Sequence, residues 1–163
     1  VLITSSPEFS KSWKNFCVAV GNGLEGMAKT IIKGGEVAWD WSKKKIKAAI
    51  KAIDNFIVVT KADTKIRKIV KKNSKTRYWT ATLRRDHVDI GRGISYNKAV
   101  EEVRKKRNVF AVTKKEAKAV AKAAYNNKKP VGPENHAENT IGYYWHFHTN
   151  VRKKGGHVYY LFG

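Results

Sequence analysis

Residues 142–163 read GYYWHFHTNVRKKGGHVYYLFG, and this stretch determines the fold that we predict. Two runs of aromatic and β-branched residues flank the polar break RKKGG, which is the pattern of two antiparallel strands joined by a turn. Side chains alternate between the two faces of a strand. In the first run, one face therefore carries Tyr143, Trp145 and Phe147, and the other carries Tyr144, His146 and His148.

The second run alternates in the same way, with an apolar set and a polar set. The apolar set is Val158, Tyr160 and Phe162, and the polar set is His157 and Tyr159. Antiparallel partners point to the same side, so registers in which paired residue numbers sum to an odd value, such as 305, unite the apolar sets in one core. The same registers place His146, His148 and His157 on one face. We expect that face to be accessible, and Trp145 on the opposite face to be buried.

The preceding residues complete a small α+β domain over residues 71–163, with the order ββαβαββ and a mainly antiparallel sheet. Alternating β-formers around the break RRD predict a hairpin. Of the two helices that follow, the second opens with the capping box Thr113-x-x-Glu116. The predicted elements before the C-terminal strands are a hairpin over 77–94, a helix over 96–107, a strand over 109–112, a helix over 113–124 and a loop over 126–140.

Residues 1–70 are predicted to form a helical N-terminal extension. Apolar residues recur at spacings of three and four from Trp13 to Ile31 and again from Val37 to Ile57, with Gly34-Gly35 between the two stripes. The lysines of the second stripe form the solvated face of a packing helix or, as the alternative, of a helix lying on a membrane. No charge-free run approaches the roughly 20 apolar residues of a membrane-spanning helix, so we expect no stable span.

The charge of the chain points to its partner. Lys and Arg number 34 against 13 Asp and Glu, which gives a formal net charge of +21. A fold does not need such an excess, so a polyanion is the expected partner, with nucleic acid first and an anionic membrane second. The single cysteine, Cys17, excludes an intramolecular disulfide framework and a cysteine-based zinc ribbon.

The histidines of the C-terminal strands suit metal-independent cleavage of RNA. One imidazole can remove the proton of a 2′-hydroxyl and another can protonate the leaving 5′-oxygen, because histidine titrates near neutral pH. The candidate catalytic residues are His146, His148 and His157, with His136 from the loop GPENH as a fourth. Groups that stabilise the phosphorane or hold the RNA are expected among Tyr144, Tyr159, Arg152, Lys153, Lys154, Arg84 and Arg85. This interpretation needs neither a metal nor a cofactor.

Two other interpretations of the same histidines stay open. His-x-His on a strand with His157 at a distance is also a tris-imidazole zinc pattern with an open fourth position, which predicts a metal-dependent hydrolase or nuclease. Alternatively, the histidines share no role and the charge serves a nucleic-acid-binding module without catalysis. The absence of Asp and Glu from residues 142–163 argues against a two-metal or Mg²⁺ nuclease.

The tail also resembles a known group of proteins. GYYWHFH, followed by GGHVYY and preceded by PVGPENH, is similar to the ends of C-terminal toxin modules of bacterial polymorphic toxins, of the wall-associated, Rhs/YD-repeat or contact-dependent inhibition type. The resemblance covers residues 75–163, and Thr149 stands where the pattern usually has proline. Residue by residue, it marks His146, His148 and His157, and also Glu134 and His136.

The resemblance implies an interbacterial toxin, often a nuclease, that is secreted as the C-terminal part of a larger protein and acts in the cytoplasm of the target cell. Its expected partners are RNA, tRNA included, and a cognate immunity protein. Residues 1–70 are then a linking or pre-toxin region, and a chain that begins at Val1 without methionine is expected to be a piece of the parent protein. A membrane-active, pore-forming toxin that uses the first 70 residues is the alternative.

Overall fold

The computed structural model of the 163-residue chain describes residues 28–31, 37–39, 43–137, 140–149 and 156–163. The chain divides into two units, Val1–Lys61 and Ala62–Gly163. One long helix, α1 (Lys43–Lys72), crosses this division, so its end belongs to the second unit. The domain boundary predicted after residue 70 therefore falls inside a helix.

In the first unit, two short strands stand where helical stripes are predicted. β1 (Ala28–Ile31) pairs antiparallel with β2 (Val37–Trp39), and α1 begins only at Lys43. The prediction that the two helical stripes include the residues of β1 and β2 was wrong. Short β-prone runs on both sides of Gly34-Gly35 favour a hairpin, because glycine inside a helix costs about 1 kcal/mol relative to alanine. The rest of the first stripe, residues 13–27, lies outside the described residues.

Helix α1 carries the apolar and basic pattern of the second predicted stripe, but several apolar side chains in its first half are not covered. Ile46, Ile50 and Ile57 are each at least one third exposed. Across the described residues, no helix has both the length and the hydropathy needed to cross a membrane.

The second unit has the order ββαβαβββ after the end of α1. Its elements are β3 (Tyr78–Leu83), β4 (Val88–Ile94), α2 (Tyr96–Arg104), β5 (Asn108–Thr113), α3 (Lys114–Ala124), β6 (Val131–Glu134), β7 (His146–His148) and β8 (His157–Phe162). The predicted order is present with one strand, β6, added in the stretch predicted as a loop. Gly132 and Pro133 indicate a break in a central strand, but both are tolerated at a sheet edge, where β6 lies.

The strands form one sheet in the order β4-β3-β5-β8-β7-β6. All neighbouring pairs are antiparallel except β5 and β8, which run parallel with Val109 beside Val158. The predicted α+β class and the mainly antiparallel sheet are confirmed. The parallel pair places the C-terminal strand in the middle of the sheet, between β5 and β7.

Local sequence signals fix the two helices of this unit. The Ser95 side chain accepts a hydrogen bond from the Lys98 N–H at 3.2 Å and so caps α2. At the start of α3, the Thr113 N–H donates to the Glu116 carboxylate at 3.0 Å, and the Glu116 N–H donates to the Thr113 hydroxyl at 3.3 Å. The predicted capping box is therefore confirmed, and it satisfies donors that a helix N-terminus leaves without partners.

Both faces of the sheet are covered by helices. On one face, α2 and α3 pack against alternate strand residues in a core that includes Val100, Val120, Ala111, Phe147, Val158 and Tyr160. On the other face, the last turns of α1 contribute to a second core, formed by Ile66, Val70, Trp79, Val88, Ile90, Phe110, Val112, Tyr144 and Tyr159. The histidines of β7 and β8 belong to this second face, on the side of the sheet that ends with β6.

Candidate active site

The register of β7 and β8 is one of those that the side-chain alternation predicts. His146 pairs with Tyr159, Phe147 with Val158, and His148 with His157, so each pair of residue numbers sums to 305. Phe147 and Val158 are buried against α2 and α3, and the histidines lie on the opposite face. Packing of the apolar set thus brings the three predicted histidines together.

The histidine face is largely buried, whereas the sequence predicts that it is accessible. His146 is 2% exposed and His148 is 3% exposed, whereas Trp145, expected to be the buried residue, is only partly buried. The expectation was wrong because that face is covered by a second core, to which the end of α1 contributes. A substitution of His146 or His148 therefore affects packing as well as chemistry.

Strand β6 adds two further side chains to the cluster. Gly132 has a φ of +114°, and a Cβ on it would lie 2.8 Å from the carbonyl oxygen of His146, so only glycine allows β6 to approach β7 this closely. Glu134 then pairs with His146 across the strands. Beyond the strand, the Asn135 side chain accepts from the Ala137 N–H at 3.0 Å, which closes a turn around His136.

Four imidazole rings form one group centred on His146. The ring centroid of His146 lies 5.0 Å from that of His136, 4.9 Å from that of His148 and 5.1 Å from that of His157. The centroids of His148 and His157 are 4.6 Å apart, and the Tyr159 ring stacks on His157 at 5.5 Å. All four candidate catalytic histidines are therefore together.

Hydrogen bonds fix the orientation of two rings. Nδ1 of His157 lies 3.0 Å from Oδ1 of Asn108, an oxygen that can only accept, so Nδ1 carries the hydrogen and Nε2 is left as the acceptor. Nδ1 of His146 likewise lies 3.1 Å from the carbonyl oxygen of Tyr144. The Nε2 atom of His146 is buried and has no hydrogen-bond partner among the described residues. These tautomers are assigned from the partners of each ring.

Burial changes the protonation of the cluster. The pKa of His157 falls to about 4, first because the ring is buried and then because other imidazoles lie close to it. The pKa of His146 is also lowered, chiefly by burial, although its hydrogen bond to the Tyr144 carbonyl opposes the change. At neutral pH both rings are therefore neutral, with a lone pair on one nitrogen that can take a proton or bind a metal ion.

A cavity of about 200 Å³ opens beside these rings. Its lining includes His136, His146, His157, Tyr159 and Tyr144, together with Arg84, Arg85 and His87 from the turn between β3 and β4. This volume is below the roughly 300–1,000 Å³ of sites that enclose drug-sized ligands. Two of the predicted phosphate-contacting residues thus lie at the same cavity as the histidines.

The two arginines of this turn differ in their partners. Arg84 donates from Nε to Asp89 Oδ2 at 3.0 Å, and the same carboxylate lies 3.3 Å from His87 Nε2. Arg85 is exposed and makes no ion pair with any described residue. Of the two arginines that line the cavity, Arg85 is therefore the one whose charge no described carboxylate neutralises.

The remaining predicted site residues have different outcomes. His148 is in the cluster but does not line the cavity; its Nε2 lies 3.6 Å from Oε2 of Glu134. Tyr144 lines the cavity, but its hydroxyl donates to Asp63 Oδ1 at 2.5 Å. Residues 152–154, which include the predicted cations Arg152, Lys153 and Lys154, lie outside the described residues.

Sequence reasoning missed two residues of this site. His87 is not among the predicted site residues, yet it lines the cavity, so four of the five histidines of the chain line it and the fifth, His148, adjoins it. Asn108, which orients His157, was not identified at all. Its role depends on the parallel pairing of β5 with β8, and no local pattern around Asn108 indicates that pairing.

Four side chains of the cluster also form a group that could hold a metal ion. Each offers one ligand atom, and these atoms all lie within 4.8 Å of one another: Glu134, His136, His146 and His148. This set differs from the predicted tris-imidazole set, because it omits His157 and includes a carboxylate. His157 instead has its Nδ1 hydrogen-bonded to Asn108.

Comparison with known proteins does not add a family to this geometry, since no protein-family model, no curated protein and no solved structure matches the chain.

Proposed function

We propose that this protein is a metal-independent ribonuclease that cleaves RNA by general acid–base catalysis with its clustered histidines. The observation that carries the proposal is one cavity whose lining includes the clustered imidazoles of His136, His146 and His157 and the guanidinium of Arg85, which makes no ion pair with any described residue. The net charge of +21 supports a polyanionic substrate. The proposed cleaved group is the phosphodiester, because a pair of imidazoles can cleave it by acid–base catalysis without a metal.

The geometry supports distinct roles for the histidines. His157 is the proposed base, because Asn108 holds its Nδ1–H and leaves Nε2 to accept the proton of the 2′-hydroxyl. His136 is exposed at the cavity and is the proposed acid. His146 lies between them, and the negative charge of a bound phosphate would favour protonation of its Nε2, which could then donate to a phosphate oxygen.

The proposed reaction is a balanced transfer of two protons. The 2′-oxygen attacks phosphorus while His157 takes its proton, and the bond from phosphorus to the 5′-oxygen breaks as His136 protonates the leaving oxygen. The products are a 2′,3′-cyclic phosphate and a 5′-hydroxyl. Arg85 stabilises the negative charge of the phosphorane between these steps.

The test is incubation of the full chain with total RNA, with and without EDTA. We expect cleavage that survives EDTA and leaves 2′,3′-cyclic phosphate ends. The key variant is His157→Asn, whose amide nitrogen can replace Nδ1 as the donor to Asn108 while Nε2 is lost. Its rate should fall by roughly 10²–10⁴-fold, the usual contribution of a general base. An unchanged rate in a folded variant would remove His157 from the mechanism, and loss of activity in EDTA would replace acid–base chemistry with metal chemistry.

We further propose that this activity serves as an interbacterial toxin, neutralised by a cognate immunity protein. The support is the resemblance of residues 75–163 to toxin modules, together with a cleavage site suited to cellular RNA. Induced expression in a bacterial cytoplasm should arrest growth and degrade RNA, whereas the His157→Asn variant at the same level should do neither. Growth arrest without RNA degradation, or with leakage of the membrane, would favour the pore-forming alternative.

A further inference from the structure

We propose that four side chains at the edge of the sheet form a binding site for a divalent transition metal ion, best matched by Zn²⁺, and that the bound ion blocks RNA cleavage. The ligands are Glu134, His136, His146 and His148. The binding site is inferred from geometry alone, whereas the block of cleavage rests on the proposed function.

The donor set selects the class of ion. Three imidazole nitrogens and one carboxylate oxygen are ligands that Zn²⁺ takes in tetrahedral sites. Mg²⁺ and Ca²⁺ prefer sets of oxygen atoms, and this cluster offers a single carboxylate. The site therefore favours zinc and the neighbouring transition metals over the alkaline-earth ions.

The hydrogen bond of His146 is typical of a metal-binding histidine. Its Nδ1 donates to the backbone carbonyl of Tyr144, and metal-binding histidines usually donate their second ring nitrogen to such a group. The other nitrogen, Nε2, is buried and has no hydrogen-bond partner among the described residues. The whole residue is only 2% exposed. A buried polar atom without a partner is costly, and a metal ion supplies the missing partner.

The distances allow coordination after a small contraction. Metal–ligand bonds of about 2.0–2.2 Å place tetrahedral ligand atoms roughly 3.4 Å from one another. His148 Nε2 and Glu134 Oε2 are already 3.6 Å apart, and the widest separation in the set is within 4.8 Å. His146 and His148 are held in the sheet, so the movement falls to Glu134 and to the exposed His136 near the edge strand.

The metal site shares two residues with the catalytic cavity. His136 and His146 line that cavity, and His136 is the proposed general acid. A nitrogen bound to zinc has no lone pair for a proton, so the ion and the acid–base cycle cannot use the same ring together. His157 is outside the ligand set and provides a matched control within the same cluster.

Metal binding is tested directly on the full chain without a polyhistidine tag. Zn²⁺ is titrated by isothermal calorimetry and by competition with a chromogenic chelator, and Co²⁺ serves as a second probe because its visible spectrum reports four-coordination. We expect one ion per chain, an affinity at least roughly 10-fold weaker in Glu134→Gln and in His148→Ala, and unchanged binding in His157→Asn. Circular dichroism verifies that each variant is folded, and Glu134→Gln retains the test if the buried His148→Ala unfolds.

The activity measurement is kept separate from the binding measurement. Added Zn²⁺ should suppress cleavage of RNA by the wild-type chain, and EDTA should restore it. Absence of binding, or equal binding by the wild-type chain and folded Glu134→Gln, overturns the metal site. Cleavage that zinc stimulates overturns the proposed block. Zinc binding by a chain that does not cleave RNA at all contradicts the proposed function but leaves the metal site in place, so the two failures are distinguishable.

Discussion

Asn108 forms two hydrogen bonds with His157. Among the described residues, no other side chain forms a hydrogen bond with the His157 ring. The Oδ1 of Asn108 accepts from the His157 backbone N–H at 2.9 Å and from Nδ1 at 3.0 Å. The first bond places the start of β8, and the second selects the tautomer with a free Nε2. In the proposed mechanism Asn108 is thus a positioning residue that acts through His157.

Removing the side chain of Asn108 should slow catalysis without weakening substrate binding. We expect Asn108→Ala to lower kcat by roughly 10-fold or more with little change in KM, because His157 then loses its fixed tautomer and orientation. Asn108→Asp retains an oxygen acceptor and should recover most of the rate. Steady-state kinetics on a short RNA, with a thermal unfolding curve for each variant, separate these effects. A rate that falls equally in both variants would mean that the oxygen acceptor has no role.

At the scale of elements, the start of β8 depends on a close backbone contact. A Cβ on Gly156 would overlap the carbonyl oxygen of Arg107 and lie 2.7 Å from its carbonyl carbon, and backbone atoms cannot rotate away as side chains do. Gly156→Ala is therefore expected to lower the free energy of unfolding by about 1–3 kcal/mol. Gly163→Ala, with nothing within 4 Å of the new Cβ, is the matched control and should leave urea unfolding unchanged. Equal stability of the two variants would contradict this contact.

The ion pair between Arg77 and Glu116 links the start of β3 to α3. Arg77 Nε donates to Oε1 of Glu116 at 2.6 Å, and Thr113 donates to Oε2 of the same carboxylate. Burial acts to raise the pKa of Glu116, but the hydrogen bonds from Arg77 and Thr113 outweigh it, so the pKa is lowered from 4.5. The ionised carboxylate therefore contributes stability that is present above the unfolded pKa and is lost as the pH falls through the folded pKa.

Glu116→Gln should reveal how the stability contributed by the ionised carboxylate depends on pH. At pH 7 the variant is expected to lose about 1 kcal/mol of unfolding free energy, a typical value for a helix cap. The difference from the wild-type chain should shrink as the pH falls progressively below 4.5, because the wild-type carboxylate then also becomes neutral. Urea unfolding at a series of pH values measures it. A difference that stays constant over that range would mean that the charge of Glu116 contributes nothing.

Local patterns predicted those features of the fold that depend on neighbouring residues. The alternation in the C-terminal runs predicts that His148 and His157 share one face, as their pairing bears out, and Thr-x-x-Glu predicts the capping box of α3. Burial of the histidine face could not be predicted from such local patterns. The core of that face includes Ile66 and Val70, which are distant from the histidines in the sequence. The approach of Asn108 to His157 likewise depends on the strand order, which no short pattern encodes.

At the scale of the whole molecule, the charge of +21 should dominate association with RNA. Each phosphate that the protein neutralises releases bound counterions, so log K for a single strand falls by about 0.7 per contact as log salt rises. The excess of cations is spread over the chain, so in the proposed function most of it would attract RNA without positioning it at the cavity. Arg85 is different in position, because it is exposed at the histidine cavity without an ion pair to any described residue.

Two charge reversals of equal size separate placement from general attraction. Arg85→Glu changes the cavity, whereas Lys118→Glu changes an exposed residue of α3, which packs on the opposite face of the sheet. In the inactive His157→Asn background, fluorescence anisotropy with labelled RNA should show that Arg85→Glu weakens binding more and lowers the slope of log K against log salt by about 0.7, the value of one lost contact. Lys118→Glu should leave that slope unchanged, because it alters the net charge without removing a contact with a phosphate. Equal losses in the two variants would remove Arg85 and its cavity from the RNA-binding surface.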